Sequence, residues 1–537
     1  MQHLTLGESP CHLVKIRSPK QTLALQLTSH ISIRQAMDYE ALRVRAACGG
    51  NGMCGACLIQ TLRGSFNAIT LTERQKIPAD DLEQGMRLAC QLTVYSDAEL
   101  YLANPAPQSI WKSLPDEEFS TFDYPGLDLQ QHVYGIAVDL GTTCIRLSLW
   151  HRGLGRCMGR RYTLNPQLSV GSDVLTRLAS ERQNSSGVTQ GKLARDAIIA
   201  GVRDILSRDI GEITAIIKQI GEVLIVGNTA MLTLLCEDHD DALLDPENWQ
   251  HTIQCQPADP RLWLSEWRMP AAMLTIIQPL AGFIGSDLLA GVIASGLTED
   301  SAPALLIDFG TNTEIALWDG HTLWITSVPG GPAFEGMGLK NGMLVEEGAI
   351  VKVTWEDASY RLQTIGAAPA RGFCACGFVD AIAQLRQQGV IKLSGRFAQE
   401  IREYSLDAHN PKTAITAYDI DLFQRAKGAT AAAILEMLHL ADLTMDAIQQ
   451  LWICGNFGQH LDIKNAMYLG LVPPILPHQL YSLANASLIG AEHMLFNTER
   501  ASAISKIIHC AEVINLTRIT TYEERFIENL RLCAMGD

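Results

Sequence analysis

Four cysteines constrain this chain more than anything else in it. Cys48, Cys54 and Cys57 stand in the loop CGGNGMCGAC with five and then two residues between them, and Cys90 in RLACQLTV follows after a further 32 intervening residues. Thiolates gathered this way hold a metal or a cluster, and one tight loop with one distant partner is the pattern of a 2Fe-2S centre. Zinc competes for Cys-x2-Cys, but zinc knuckles pair two such hooks and only one is present here. Gly49, Gly50, Gly52 and Gly55 let the loop bend where a Cβ would clash and leave N–H groups free to point at sulfide. Between the loop and Cys90, Thr70-x-x-Glu73 predicts a capping box opening a short helix. The apolar run around Cys90 predicts a strand able to lie under the loop.

The x5 spacing resembles the adrenodoxin and putidaredoxin type of ferredoxin. The chain has fourteen cysteines in 537 residues, far too dilute for a small disulfide scaffold. Cys374 and Cys376 form a C-x-C pair and the others are scattered, which reads as buried free thiols. A net charge of −16 argues against nucleic acid. Residues 1–103 hold ten basic against nine acidic side chains, so the acidity belongs to residues 104–537. No apolar run approaches the ~20 residues of a membrane helix. The start, MQHLTLGESPCHLVKIRSPK, lacks the apolar stretch of a secretion signal, and a cytoplasmic protein is expected.

Two further turns carry chemistry. Asp139-Leu140-Gly141-Thr142-Thr143 closes one apolar run, and Asp308-Phe309-Gly310-Thr311-Asn312 closes another 169 residues on. A carboxylate at a strand end can hold magnesium-bound water, glycine admits close backbone approach, and Thr and Asn donors wrap phosphate oxygens. One such turn reads equally well as a plain hairpin. Two in equivalent settings predict duplicated halves about a nucleotide. Gly330-Gly331-Pro332-Ala333-Phe334-Glu335-Gly336 adds a glycine-rich turn with one acid, and Glu335 and Asp287 (in GFIGSD) are candidates for activating water. Gly455-Asn456 ends another apolar run. Asn165 and Asn228 read both as ligand-facing groups and as turn caps. No Walker A loop, GxGxxG or kinase glycine loop is present.

As a set, the cysteine loop with RLACQ, DLGTT, NPQLSVGSDVLTR, VGNTAM, DFGTNTEIAL, GGPAFEG and GNFGQHLDIKNAMYLGLVP resembles the reductive activators of corrinoid proteins. The resemblance runs from about Cys48 to the C-terminus. It implies an α/β multidomain chain: an N-terminal β-grasp 2Fe-2S ferredoxin, then duplicated domains of the actin-like, ribonuclease H-like ASKHA fold. It implies ATP-dependent reduction of an inactive Co(II) corrinoid protein to Co(I), with a 2Fe-2S cluster and MgATP as cofactors and a low-potential electron donor as a further partner. Cys48, Cys54, Cys57 and Cys90 would ligate the cluster. Asp139 and Asp308 would position magnesium and water, with Glu335 as the acid. Gly141, Thr142, Thr143, Gly310, Thr311, Asn312, Gly330, Gly331, Gly455 and Asn456 would surround the nucleotide. A loop resembling GICGSGLID in the family stands here as Gly372–Asp380, GFCACGFVD, and the family's Gly-Gly is Gly455-Asn456. Both departures add side chains where backbone would approach nucleotide.

The expected domains are a ferredoxin over 1–103, a linker over 104–131, a middle domain over 132–212 and a C-terminal ATPase domain over 213–537. The linker carries Pro105, Pro107, Pro115 and Pro125 and five acids against one lysine, so an extended tether and a mobile ferredoxin are expected. Two other readings fit the motifs: a small-molecule kinase with an appended ferredoxin, and a nucleotide-binding redox sensor without turnover. A homodimer stays open.

Overall fold

The computed structural model describes residues 11–38, 40, 42–44, 52, 55, 57–105, 110–114, 124–171, 174–182, 189–206, 213–237, 243, 249–310, 312–330, 334 and 338–536. They form two compact units. The first takes in 1–170, 183–225 and 257–276, and the second 171–182, 226–256 and 277–537.

The first unit opens with a five-stranded sheet: β1 (Cys11–Arg17), β2 (Thr22–Thr28), β3 (Leu58–Arg63), β4 (Met86–Leu88) and β5 (Ala98–Tyr101), in the order β2-β1-β5-β3-β4. β1 is antiparallel to β2 and parallel to β5, the mixed arrangement of a β-grasp. Alternation along β1 buries Val14 and Ile16 in one core with Ile59, Leu88 and Leu100. The expected capping box is present at helix Leu71–Lys76. Glu73 also takes hydrogen bonds from Arg87 Nε at 2.8 Å and from the Leu88 N–H at 3.1 Å, tying the helix to β4. Burial raises the Glu73 pKa, but Arg87 and the Thr70 and Leu88 amides outweigh it and hold the carboxyl below its ordinary value.

The same unit holds a second sheet: β6 (Lys112–Ser113), β7 (Tyr134–Leu140), β8 (Cys144–His151), β9 (Arg156–Leu164), β10 (Ile220–Gly227) and β11 (Met273–Ile276), in the order β11-β10-β7-β8-β9-β6. β7, β8 and β9 form an antiparallel meander, and β10 and β11 are parallel. A domain boundary at 212 would cut this sheet, because β10 and β11 lie beyond it. The parallel strands of such a fold come after the helix Gln190–Leu206, so the sheet runs past the expected boundary.

The stretch that reads as a free tether is partly packed. Lys112 and Ser113 pair with Tyr162 and Arg161, Trp111 is buried, and Tyr124 meets Trp150 edge-on at 5.0 Å. The ferredoxin is also fastened. Arg43 donates through both terminal nitrogens to the Asp204 carboxylate, each at 3.1 Å, and Arg161 Nε donates to the same carboxylate at 2.7 Å. Side-chain exposures of 6%, 6% and 3% for Arg43, Asp204 and Arg161 make this a desolvated triad. The expectation of a mobile carrier rests on proline and charge content, which says nothing of a single arginine reaching a distant helix.

The second unit repeats the middle plan. β12 (Ala304–Phe309), β13 (Thr313–Trp318) and β14 (Leu323–Val328) form a meander. A small sheet of β15 (Ala349–Glu356), β16 (Ser359–Thr364) and β17 (Gly372–Phe373) follows, then a ribbon of β18 (Glu403–Ser405) and β19 (Ala414–Thr416). β20 (Gln450–Cys454), β21 (Leu480–Leu483) and β22 (Ala511–Val513) complete the main sheet, ordered β21-β20-β12-β13-β14-β22. The core order β14-β13-β12-β20-β21 matches β9-β8-β7-β10-β11, so the echo of DLGTT in DFGTN is a true structural duplication. The 24-residue helix Ala417–Leu440 begins with its own capping box at Thr416 and Asp419.

Breaking a buried ion pair by removing one partner costs about 3–5 kcal/mol. Arg43→Ala leaves Asp204 with Arg161, so it should cost less than a full break, about 1.5–3 kcal/mol of docking. Limited proteolysis between the ferredoxin and the middle sheet should then be at least ~10-fold faster than in the parent, since 1.4 kcal/mol is a factor of ten. An unchanged cleavage rate would show that the triad does not hold the domain.

Candidate functional site

In the ferredoxin sheet, the β3–β4 pairing of Leu58 with Leu88 brings Cys57 and Cys90 to one end. The Ala89 N–H donates to the Cys57 carbonyl at 2.8 Å, and helix Ile33–Asp38 braces the same segment through Arg34 N–H to Ala89 and Ile33 N–H to Leu92. Both thiols are buried. Gly52 and Gly55 have φ of +80° and +67°, and a Cβ on Gly52 would fall 2.4 Å from Thr72 Cγ2. Only glycine fits that approach to helix Leu71–Lys76. Two buried thiols under a loop turned on left-handed glycines fit a 2Fe-2S cluster. Cys48 and Cys54 lie outside the described residues.

The first phosphate-type turn follows β7. The Gly141 N–H donates to the Cys144 carbonyl at 3.0 Å, and a Cβ on Gly141 would sit 2.8 Å from that oxygen. Thr142 and Thr143 are buried beside it. Asn165 is a brace rather than an open ligand group: its Nδ2 donates to the Gly141 carbonyl at 2.9 Å, and its N–H donates to the Thr143 carbonyl. Asn228 likewise caps helix Thr229–Cys236 by accepting from the Met231 N–H. Asp139 is buried, and its cross-strand neighbour Arg146 donates to Oδ2 at 3.1 Å. Burial still leaves the Asp139 pKa raised, with Arg146 opposing. Sequence reasoning missed this arginine, although it lies seven residues on, directly across the hairpin.

The second turn repeats the first. The Gly310 N–H donates to the Asn312 carbonyl at 3.1 Å. Register places Asp308 across from Glu314 on β13 and beside Cys454 on β20. Gly455 comes next on the chain with φ +81°, and a Cβ there would lie 2.9 Å from the Phe309 carbonyl and 3.0 Å from Asp308 Oδ1. It opens the short helix Asn456–His460. A Cβ on Gly330 would meet Thr313 Oγ1 at 2.3 Å, so this glycine also closes on the turn. The Ser286 hydroxyl bridges to Gly227, drawing GFIGSD and VGNTAM together. The second unit thus gathers Asp308, Gly310, Asn312, Gly330 and Gly455 at the carboxyl ends of β12 and β20, where open α/β sheets take ligands. Thr311, Gly331 and Glu335 lie outside the described residues, as does the Asn456 side chain.

Glu314 is the acid that sequence reasoning missed. Burial, then the nearby Asp287 and Asp308 carboxylates, push its pKa well above the ordinary value of 4.5, and Ser327 Oγ at 3.4 Å opposes this weakly. The signal was in DFGTNTEIAL: on a strand opposite DF, the glutamate must stand across from the aspartate. All three acids are half-buried. Among the described residues no three His, Cys, Asp or Glu side chains converge to hold a bare metal ion. Magnesium is commonly held by one or two carboxylates together with phosphates and water, and repelling acids beside glycines that admit backbone fit that cargo. The family departures Ala375 and Cys376 are buried in the core of the second unit.

A ferredoxin-type sheet with two buried cysteines, joined to a duplicated α/β sheet of actin-like plan, defines the class. Residues 26–95 match the 2Fe-2S iron-sulfur cluster binding domain, 134–300 the RACo middle region, and 302–537 the C-terminal domain of RACo, the ASKHA domain. The chain belongs to the reductive activators of corrinoid proteins. It is 28% identical to the corrinoid activation enzyme RamQ of Eubacterium limosum over 440 residues, covering 75% of this chain and 71% of that one. It is 22% identical to the [Co(II) methylated amine-specific corrinoid protein] reductase of Methanosarcina barkeri, covering 75% and 77%. The solved reductive activator for corrinoid,iron-sulfur protein shares the fold at a TM-score of 0.61 and 23% identity, covering 97% and 98% of the two chains. Among the described residues, no helix is long and apolar enough to cross a membrane.

An acid whose native pKa is raised binds its proton more tightly folded than unfolded. Its stabilising effect is full below about 4.5 and declines as pH climbs toward the raised native value. Without nucleotide, the second unit should therefore lose stability as pH rises above about 4.5. Asp380, raised to about 6 chiefly by burial, works in the same direction, so the comparison is with Glu314→Gln. That variant should melt a few degrees higher than the parent at pH 8 and with a flatter pH profile; about 1 kcal/mol shifts Tm by ~2–4 °C in a unit this size. A variant that melts lower at pH 8 would contradict the repulsion.

Proposed function

We propose that this chain is an ATP-driven reductase that returns an inactive Co(II) corrinoid protein to Co(I), one electron at a time. Its similarity to proteins that act on corrinoid proteins supports the substrate. The observation that carries the mechanism is the duplicated strand-end turn, Asp139-Leu140-Gly141 and Asp308-Phe309-Gly310, in one chain with a ferredoxin. The electron must move uphill. Each ~59 mV costs about 1.4 kcal/mol for one electron, so ~200 mV costs on the order of 5 kcal/mol, which nucleotide turnover has to supply.

Cys48, Cys54, Cys57 and Cys90 would hold the cluster, which when bound supplies single-electron transfer. Arg43, Asp204 and Arg161 hold the ferredoxin against the middle sheet, fixing where that electron waits. Gly141, Gly310, Gly330 and Gly455 leave room for phosphates at the strand ends, with the backbone and hydroxyl groups of Thr142, Thr143, Thr311 and Asn312 as donors, and Gly331 and Asn456 next to them. Asp308 and Asp139 orient magnesium-bound water. A base works best when its pKa lies near the working pH, and Glu314, raised and facing Asp308, meets that requirement; Glu335 is the other acid in the set. A low-potential donor reloads the cluster, the protein works in the cytoplasm, and a homodimer is compatible with this scheme.

A steady-state ATPase assay tests the reading. ATP hydrolysis should rise severalfold on adding a Co(II) corrinoid protein and stay low with metabolites alone. Asp308→Ala should remove at least ~99% of the stimulated rate, since electrostatic groups at a phosphoryl site are worth about 10²–10³ in kcat. Phosphoryl transfer to a small metabolite would make the chain a kinase, and nucleotide binding with no turnover under any partner would make it a sensor.

A further inference from the structure

The C-x-C pair absorbed by neither the cluster nor the phosphate turns has a specific setting. Cys374 is the N-cap of helix Ala375–Gln387. Cys376 lies two residues on, in the first turn, and its thiol donates to the Phe457 carbonyl at 3.0 Å. Cys376 is therefore fastened to the short helix Asn456–His460. That helix begins at Gly455, whose backbone closes on Asp308. Both thiols are buried, at 1% and 3% exposure.

We propose that Cys374 and Cys376 form a reversible disulfide with a small peroxide as oxidant, and that this disulfide weakens nucleotide binding by the second unit. Geometry permits the bond. Helical backbone at Ala375 sets the Cα atoms of 374 and 376 about 5.4 Å apart, inside the 4.4–6.8 Å that disulfides span. Chemistry favours Cys374 as the attacking sulfur. The neighbouring Cys376 thiol lowers its pKa to about 7 against the effect of burial, with the Gly377 and Cys376 amides at the helix N-terminus adding to it. The Cys374 sulfur beside it, with burial, pushes the Cys376 thiol up, so Cys376 is the proton-bearing partner.

The step balances. Cys374 thiolate attacks one peroxide oxygen, the O–O bond breaks, and the leaving hydroxide takes a proton to become water. The resulting sulfenic sulfur is then attacked by Cys376, whose proton leaves with the second hydroxide as water. Two thiols are oxidised by two electrons and one peroxide is reduced to two waters. A dithiol reductant reverses it. Burial restricts the oxidant to a small one such as hydrogen peroxide. On closure, the Cys376 sulfur turns to Cys374, and the Phe457 carbonyl loses its donor. The helix that starts at Gly455 is thereby loosened beside Asp308. In a family whose matching loop reads Ser at this position, the second thiol is what makes the bond available.

The coupling to nucleotide rests on the proposed phosphate-binding role of the strand-end turns; the disulfide does not. The full chain, purified under anaerobic conditions, is exposed to hydrogen peroxide, alkylated with iodoacetamide and digested with trypsin. Both cysteines fall in one peptide, GFCACGFVDAIAQLR, between Arg371 and Arg386. That peptide should appear two hydrogens lighter and unalkylated, and return to the doubly alkylated form after dithiothreitol. MgATP affinity, followed by thermal shift so that damage to the cluster does not enter, should fall about tenfold on oxidation. Cys376→Ser keeps a hydroxyl donor for Phe457, cannot close the bond, and should hold its MgATP affinity through the same treatment. Full alkylation of both thiols at a peroxide dose that oxidises exposed Cys11 would overturn the proposal. So would an equal loss of affinity in Cys376→Ser, or an unchanged affinity in a parent shown to carry the disulfide. If the reduced parent fails to shift with MgATP, the nucleotide reading fails and the coupling with it, while the peptide mass still decides the disulfide.

Discussion

Three carboxylates that repel one another sit about the carboxyl end of β12 in the second unit, and the nucleotide chemistry proposed for that unit turns on them. Asp308 and Glu314 stand opposite on neighbouring strands, and Asp287 adds its field from the first turn of a helix. A fold gains nothing by placing like charges across a strand pair, where they destabilise by several tenths of a kcal/mol or more. The arrangement makes sense when a cation and phosphates arrive to compensate it. The glycines that close on it, Gly330 and Gly455, are positions where any side chain would collide with the turn itself. The first unit handles the equivalent aspartate differently, pairing Asp139 with Arg146 inside its own hairpin. The two halves share a topology, while the second places a glutamate, Glu314, across from its aspartate where the first places Arg146.

Local devices were legible in the sequence. Cys57 and Cys90 come to one end of the ferredoxin sheet, Cys90 in a turn just past β4 where a strand is expected, Thr70 and Glu73 form the capping box, and both Asp-x-Gly turns end strands of equivalent sheets. These features are written in adjacent residues or in repeated words. Features that depend on register, or on residues far apart in the chain, were not legible. Glu314 becomes significant only when β13 is laid against β12. Arg146 becomes a partner of Asp139 only across a hairpin. The middle sheet continues through β10 and β11 because parallel strands are added after a helix, and no composition change marks that. Asn165 and Asn228 offer two readings in sequence, and hydrogen bonds to their own turns decide for the cap.

The most consequential long-range feature is Arg43 on Asp204, 161 residues apart. Two arginines share one buried carboxylate, Arg161 from within the middle domain and Arg43 from the ferredoxin. Proline and acid content argue for a free tether, yet Trp111 and the Lys112–Ser113 strand lie against the middle sheet. A docked ferredoxin has a defined place from which to receive and hand on an electron, and release from it is a step that can be made conditional. The buried dithiol at Cys374 and Cys376 belongs to the other unit and acts on the nucleotide end of the same cycle.

The central claim is that nucleotide drives an uphill electron onto a corrinoid protein. The direct measurement is the visible spectrum of a purified corrinoid protein poised as Co(II), mixed anaerobically with this chain and a low-potential donor, before and after MgATP. The account requires Co(I) to accumulate only when this chain, donor and MgATP are all present, and to fail when Cys90→Ser replaces the parent. Co(I) appearing at the same rate without nucleotide, or with Cys90→Ser, would contradict it.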